Sequence, residues 1–191
     1  SSAVPLYAYS DTNFARDIAY HTSTWCGVIY IYGCPIVQQV ATINPEVSSA
    51  HTEFIGGSMA TDLVLSIQNF LKEVDTCPEV GNPPTIYMDA SSAIHAAVVP
   101  AMLPKFKHIA IHAQKLRTRC QYGDIVLAKV DSKDNKANQG TKPYTSRRDY
   151  LEETSIYMKS KNSRCTSVPQ DVEQGKPFPI VFRLIQRYLE S

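Results

Sequence analysis

The hydrophobic period of this chain changes near Ser49, and that change restricts the folds open to it. Before it lie three β-rich runs, Leu6 to Ser10, Trp25 to Gly33 and Ile36 to Thr42, with Gly33 to Pro35 reading as a hairpin turn. After it, Ala60, Leu63, Val64, Ile67, Phe70, Leu71 and Val74 recur at spacings of three and four. That is the pattern of an amphipathic helix, and it ends before Cys77-Pro78. Gly56 and Gly57 weaken the first turns of this helix by about 1 kcal/mol each relative to alanine.

Downstream the elements alternate. Thr85 to Met88 is a short strand, Ser91 to Val98 a helix and Lys105 to Gln121 a second long helix with Phe106, Ile109, Ala113, Leu116 and Cys120 on one face. Tyr122-Gly123 stops that helix before a strand from Ile125 to Val130. Asp131 to Lys142 is polar without apolar periodicity and reads as a loop; Arg148 to Lys159 reads as helical. A stretch rich in Ser, Lys, Asn, Pro and Gln, Ser160 to Pro179, then reads as a linker before a short amphipathic segment, Ile180 to Leu189. The expected organisation is one α/β domain over residues 1–159, with 160–191 as linker and helical extension.

A chain of 191 residues with 43% hydrophobic content can bury one sizeable core. Its formal net charge of +1 excludes a protein that captures nucleic acid over its whole surface, so any such binding must come from a local patch. Five cysteines, Cys26, Cys34, Cys77, Cys120 and Cys165, show no C-x-x-C spacing, which argues against a zinc site and a complete disulfide framework and for a reducing compartment. No segment reaches the roughly 18 apolar residues of a membrane helix, and the first residues lack the pattern of a signal peptide. The chain is expected to be a soluble protein and a piece of a longer polyprotein.

Three acids stand where elements begin or end: Asp11 closing the first strand, Glu53 opening the long helix, and Asp89 closing the fourth strand. Carboxylates placed so can converge on divalent ions for phosphodiester hydrolysis. Each also has a simpler reading, Asp11 and Asp89 as caps and Glu53 as a partner of the helix dipole.

The words around these acids narrow the choice. Tyr9-Ser-Asp-Thr-Asn-Phe-Ala-Arg-Asp17 resembles the Tyr-Ser-Asp-Ala-Asp-Trp-Ala-Gly-Asp opening of the ribonuclease H domain of copia-type LTR retrotransposons, and Ser23 to Ile29 resembles the strand that follows it. Ser48-Ser-Ala-His-Thr-Glu-Phe-Ile resembles that family's Ser-Ser-Thr-Glu-Ala-Glu-Tyr-Met, and Ile86-Tyr-Met-Asp-Ala-Ser-Ser-Ala-Ile94 its Ile-Tyr-Cys-Asp-Asn-Gln-Ser-Ala-Ile. Lys107-His-Ile-Ala-Ile111 is similar to Lys-His-Ile-Asp-Ile, and Thr141-Lys-Pro-Tyr to the closing Thr-Lys-Pro-Leu. Six words in one order, over roughly residues 5–157, make a specific match.

The resemblance implies a ribonuclease H-like α/β fold, a central mixed sheet with its first three strands antiparallel, flanked by helices. It implies a metal site of Asp11, Glu53 and Asp89, with Mg²⁺ or Mn²⁺ as cofactor and an RNA/DNA hybrid as partner. Two ions would serve an active enzyme. The family's fourth ligand is an aspartate in Ala-Asp-x-x-Thr-Lys-Pro; here the position is Asn138, which brings no charge, so one ion or none is the weaker alternative. Asp131 and Asp134 are further candidates for that role by a loop shift. The implied origin is a reverse transcriptase polyprotein or a host gene descended from one, within a cytoplasmic retrotransposon particle or the nucleus. A catalytically inactive module that binds nucleic acid or protein is the competing reading, with residues 160–191 as a protein-binding tail.

Lys105, Lys107, Lys115, Arg117 and Arg119 fall on one predicted helix without an intervening acid, the local basic patch that hybrid phosphates would require. A solvated helix face explains them equally well. His108 and His112 lie four apart on the same helix but lack an evident third ligand; His21, His51 and His95 are scattered, with His95 expected near Asp89. Tyr7, Tyr9, Trp25, Tyr30 and Tyr32 are expected to pack in the core or to stack on bases, with Tyr30 and Tyr32 on one face.

Overall fold

Eight residues of the first strand carry the register of the whole sheet. In the computed structural model, which describes residues 6–15, 22–44, 48–74, 83–98 and 107–142, strand β1 (Leu6–Asn13) pairs antiparallel with β2 (Ser23–Ile31) along its full length, from Leu6 opposite Ile31 to Asn13 opposite Thr24. On its other side β1 pairs in parallel with β4 (Thr85–Met88), but only from Tyr7 to Ser10. Strand β3 (Cys34–Ile43) lies antiparallel to β2, and β5 (Val126–Lys129) parallel to β4, giving the order β3-β2-β1-β4-β5. The mixed sheet with three leading antiparallel strands is as expected.

Helices α1 (Ser49–Glu73), α2 (Ser91–Val98) and α3 (Lys107–Gln121) pack together with one face of the sheet. Alternation along the strands selects that face: Leu6, Ala8, Trp25, Ile29, Ile31, Ile86 and Met88 join Phe54, Leu63, Val64, Ile67 and Leu116 in one core. Ser48 caps α1 by accepting the backbone N–H of His51 at 3.3 Å, which agrees with the change of period at Ser49.

The glycines that weaken α1 as an isolated helix let it approach the sheet. A Cβ at Gly56 would collide with the side chains of Thr12 and Trp25. The approach places Ser10 between three elements: its hydroxyl accepts from Trp25 Nε1 at 3.0 Å and donates to the Gly56 carbonyl at 3.2 Å.

The opposite face carries the odd residues of β1. Cys26, Val28, Tyr30 and Ala137 are buried there, with Tyr7 and Tyr9 packed against them. The Tyr7 and Tyr30 rings stack at 5.2 Å, and those of Tyr9 and Tyr87 at 5.1 Å. Burial, reinforced by Tyr9 and Tyr87, pushes the Tyr7 phenol up to about 12. The tyrosines therefore pack on one another, and Trp25 belongs to the other core. Tyr32 does not continue the strand with Tyr30: with Gly33 it forms the two-residue hairpin turn, both at positive φ, as the twist of a tight hairpin requires.

Two further differences from the sequence reading bear on the site. β1 continues past Ser10 to Asn13, so Asp11 lies within it, one residue beyond the part paired with β4. The stretch 131–142 is also more than a loop, holding a 3₁₀ turn at Ser132–Asp134 and a short helix, α4 (Asn138–Thr141), packed against β1 and β2. Periodicity cannot reveal such pieces, because side-chain hydrogen bonds rather than an apolar stripe fix them. The predicted helix 148–159 and the predicted linker and extension 160–191 lie outside the described residues.

Candidate active site

Asp11 is 7% exposed and projects from the odd side of β1. Burial raises its carboxyl above the usual range; the hydrogen bond from Thr141 opposes the rise, Asp89 adds to it, and Lys142 and the Thr12 backbone N–H lower it again. Thr141 Oγ1 donates to Asp11 Oδ2 and also lies 3.0 Å from the Asn138 carbonyl. A hydroxyl has one proton, and the ionised carboxylate is the stronger acceptor, so the bond goes to Asp11 while it is charged.

Glu53 approaches from α1, on the other side of the sheet. It sits fifth in the helix, and no acid occupies the first turn, so the dipole reading does not account for it. Burial raises its carboxyl, a 2.8 Å hydrogen bond from Ser92 Oγ to Oε2 lowers it, and Asp89 raises it again. Asp89 follows Met88 at the end of β4, and Ser10, the partner of Met88 in the parallel pairing, precedes Asp11. Asp89 is thus the shared neighbour of the other two acids. Asp89, just past the end of β4, acts electrostatically on both Asp11 and Glu53, which project on opposite sides of the sheet.

Asn138, the fourth position, opens α4, and its amide nitrogen donates to the Ser132 carbonyl. Other residues of this closing segment reach the site. Asn135, 4% exposed, donates from Nδ2 to the Ser10 carbonyl at 3.0 Å and accepts the Ala137 N–H at 3.1 Å. Asn13 Nδ2 donates to the Thr141 carbonyl at 3.1 Å. Gly140 lies so close to β2 that a Cβ would strike Cys26. Asp131 and Asp134 are exposed, and the charge of Asp134 acts on Tyr9.

The donor chemistry fits a hard divalent cation: the acids supply oxygen ligands, and the repulsion of Asp11 and Glu53 by Asp89 is what a cation relieves. The ligand geometry is less complete. Among the described residues, no three His, Cys, Asp or Glu side chains form a group that could hold a metal ion. Thr141 and Ser92 each engage an oxygen of the outer two acids.

The predicted basic patch is largely committed within the fold. Arg117 is 5% exposed, and its Nη2 donates to the Ala96 carbonyl at 2.7 Å, tying α3 to α2. Lys115 Nζ pairs with Asp62 of α1 at 2.6 Å, and Arg119 with Asp124 at 2.8 Å. Its helical period turns Arg117 inward beside Leu116, which the run of basic residues could not disclose. Lys105 lies outside the described residues, as does the side chain of Lys107. His112 faces His51 of α1, ring centres 6.3 Å apart, and His95 is exposed on α2. Sequence reasoning missed Thr141, Asn135, Asn13 and Ser92; Thr141, Asn13 and Ser92 stood within the matching words, and none carried a signal of its role.

No protein-family model matches the chain. Among curated proteins, the retrovirus-related Pol polyproteins from Arabidopsis thaliana transposons RE2 and RE1 match over 146 residues at 27% and 28% identity, each covering 74% of this chain. The match spans 10% of the length of those relatives. Among solved structures, RNase H1 from the halophilic archaeon Halobacterium salinarum NRC-1 superposes with a TM-score of 0.54 at 11% identity, covering 72% of this chain and 93% of that one. LC11-RNase H1 in complex with an RNA/DNA hybrid gives 0.51 at 14% identity, covering 70% and 91%. None of the described helices is long and apolar enough to cross a membrane. The chain is thus similar in sequence to retrovirus-related Pol polyproteins of two plant transposons, and its fold is that of ribonuclease H.

Proposed function

We propose that this domain hydrolyses the RNA strand of RNA/DNA hybrids at a slow rate, with Mg²⁺ or Mn²⁺ held by Asp11, Glu53 and Asp89. The observation that carries the reading is the placement of the acids: Asp11 in β1 and Glu53 in α1 are carboxyls that burial holds above their usual range, and Asp89, just past β4, adds to the rise in both. Mutually repelling acids in one place are costly to a fold that has no use for them. Bound divalent ions would supply an activated water and stabilise the leaving oxygen. The protein's part is to hold the acids at the end of the β1–β4 pair, and Thr141 and Ser92 orient two of them. Asn138 adds no charge there, which accounts for a slow rate. Support for the substrate comes from the fold shared with LC11-RNase H1, whose structure holds such a hybrid. Incubation of a labelled hybrid with Mg²⁺ or Mn²⁺ tests the reading: cleavage above that of Asp11→Asn is expected, and its absence refutes it.

The second reading, a ribonuclease H-like module that binds without cutting, draws on the lack of a ready three-acid metal group among the described residues and on the Asn138 amide engaged with Ser132. Under it, the hybrid is retained in a binding assay with no cleavage at any divalent-ion concentration, and Asn138→Asp introduces activity. Cleavage already robust in the wild type and unchanged by Asn138→Asp excludes it.

A further inference from the structure

We propose that Thr141 is a positioning residue for Asp11, and that the closing segment 135–142 serves the site through this hydroxyl and not through Asn138. The inference rests on Asp11 belonging to the working site. Thr141 is fully buried, and its Oγ1 donates to Asp11 Oδ2 across 130 positions of chain. Its own place is fixed from two sides: Asn13 holds its carbonyl at 3.1 Å, and Asn135 fastens the segment to the Ser10 carbonyl, one residue before Asp11, at 3.0 Å. Gly140 allows the backbone next to Thr141 to rest on Cys26, the residue paired with Asp11 in the sheet. Anchors on Ser10, Asn13 and Cys26 thus surround Asp11, and the only side chain of the segment seen bonded to its carboxylate is Thr141.

A buried threonine that merely fills space predicts a different outcome. Thr141→Val keeps the shape and removes the donor, whereas Thr141→Ser keeps the donor and removes a methyl. Mn²⁺ binding without substrate, read from the resonance of the free ion, is expected to weaken by about tenfold or more in Thr141→Val, as losses of ligand-orienting partners do. Thr141→Ser and Asn138→Ala are expected to bind as the wild type does. In cleavage, Thr141→Val should lower kcat with KM for hybrid unchanged. Unaltered Mn²⁺ binding in Thr141→Val, equal losses in the serine and valine variants, or a loss in Asn138→Ala as large as in Thr141→Val overturns the proposal.

If the wild type binds no Mn²⁺ and cuts nothing, the functional reading fails while positioning remains testable. Side-chain couplings of Asp11 in the metal-free protein should then report one χ1 rotamer in the wild type and Thr141→Ser and averaging in Thr141→Val; a single rotamer in all three overturns it. Should Thr141→Val not fold, Asn13→Ala, which releases the Thr141 carbonyl at a partly buried position, must loosen the same rotamer, and an unchanged rotamer overturns it.

Discussion

Burial and then Asp89 raise the carboxyls of both Asp11 and Glu53, yet the two halves of the site hold them differently. Asp11 is buried and gripped by a buried threonine, in a segment that two further side-chain bonds and a glycine contact fasten to the sheet. Glu53 is only partly buried and receives an exposed hydroxyl from a short helix. A hydrogen bond shielded from water has no solvent to replace it, whereas an exposed one competes with water at nearly equal energy. The Asp11 half is therefore the rigid side of the site and the Glu53 half the adjustable one. A cation that draws the acids together would move Glu53 more than Asp11.

The sharpest way to break this contrast is Gly140→Ala. The added Cβ meets Cys26, and overpacking of this kind costs about 1–3 kcal/mol, to be read as a lower midpoint in urea unfolding. Asn135→Ala follows: it leaves the buried Ser10 carbonyl and Ala137 N–H without their partner, costing about 1–3 kcal/mol towards the lower end if water enters. Removing Ser92 on the other side should cost about 0.5 kcal/mol, because Glu53 Oε2 can turn to solvent; a loss equal to that of Asn135→Ala would erase the distinction between the halves. Smallest is Lys115→Ala, whose pair with Asp62 is exposed and should change stability by about 0.2 kcal/mol, less in high salt.

Acidity sharpens the same comparison. Folding raises the Asp11 carboxyl above its ordinary 3.8 and the Glu53 carboxyl above its ordinary 4.5, so both favour the protonated form in the native state. Their contribution is fully present below those ordinary values and is lost as pH rises through the raised ones. Asp11→Asn should therefore be more resistant to unfolding than the wild type at neutral pH, with the gap closing as the medium is acidified towards 3.8. A gap that widens on acidification contradicts the burial of a repelled carboxylate. Added Mg²⁺ should narrow it from the other direction by stabilising only the wild type.

Much of this was legible before any coordinates. The switch of period at Ser49 follows from local pattern, and the mixed sheet with three leading antiparallel strands from the matching words. What escaped shares a physical cause, since it depends on contacts between positions far apart. Arg117 looks like its basic neighbours until α2 packs over it, and Gly56 looks like a defect until Trp25 fills the space its missing side chain leaves. Asn135 and Thr141 sit in a run without periodicity, and only the proximity of β1 gives them acceptors. Apolar residues announce burial through repetition, while a polar residue that works by one long-range bond leaves no repeating trace.

The separation of those bonds also bears on when the site comes into being. Asn135 and Thr141 reach back over 125 and 130 positions, so all three acids are synthesised well before the parts that steady Asp11. Closing so long a loop is among the later and slower steps available to a chain of this topology. A chain synthesised only as far as α3 carries all three acids and none of the residues that clasp Asp11.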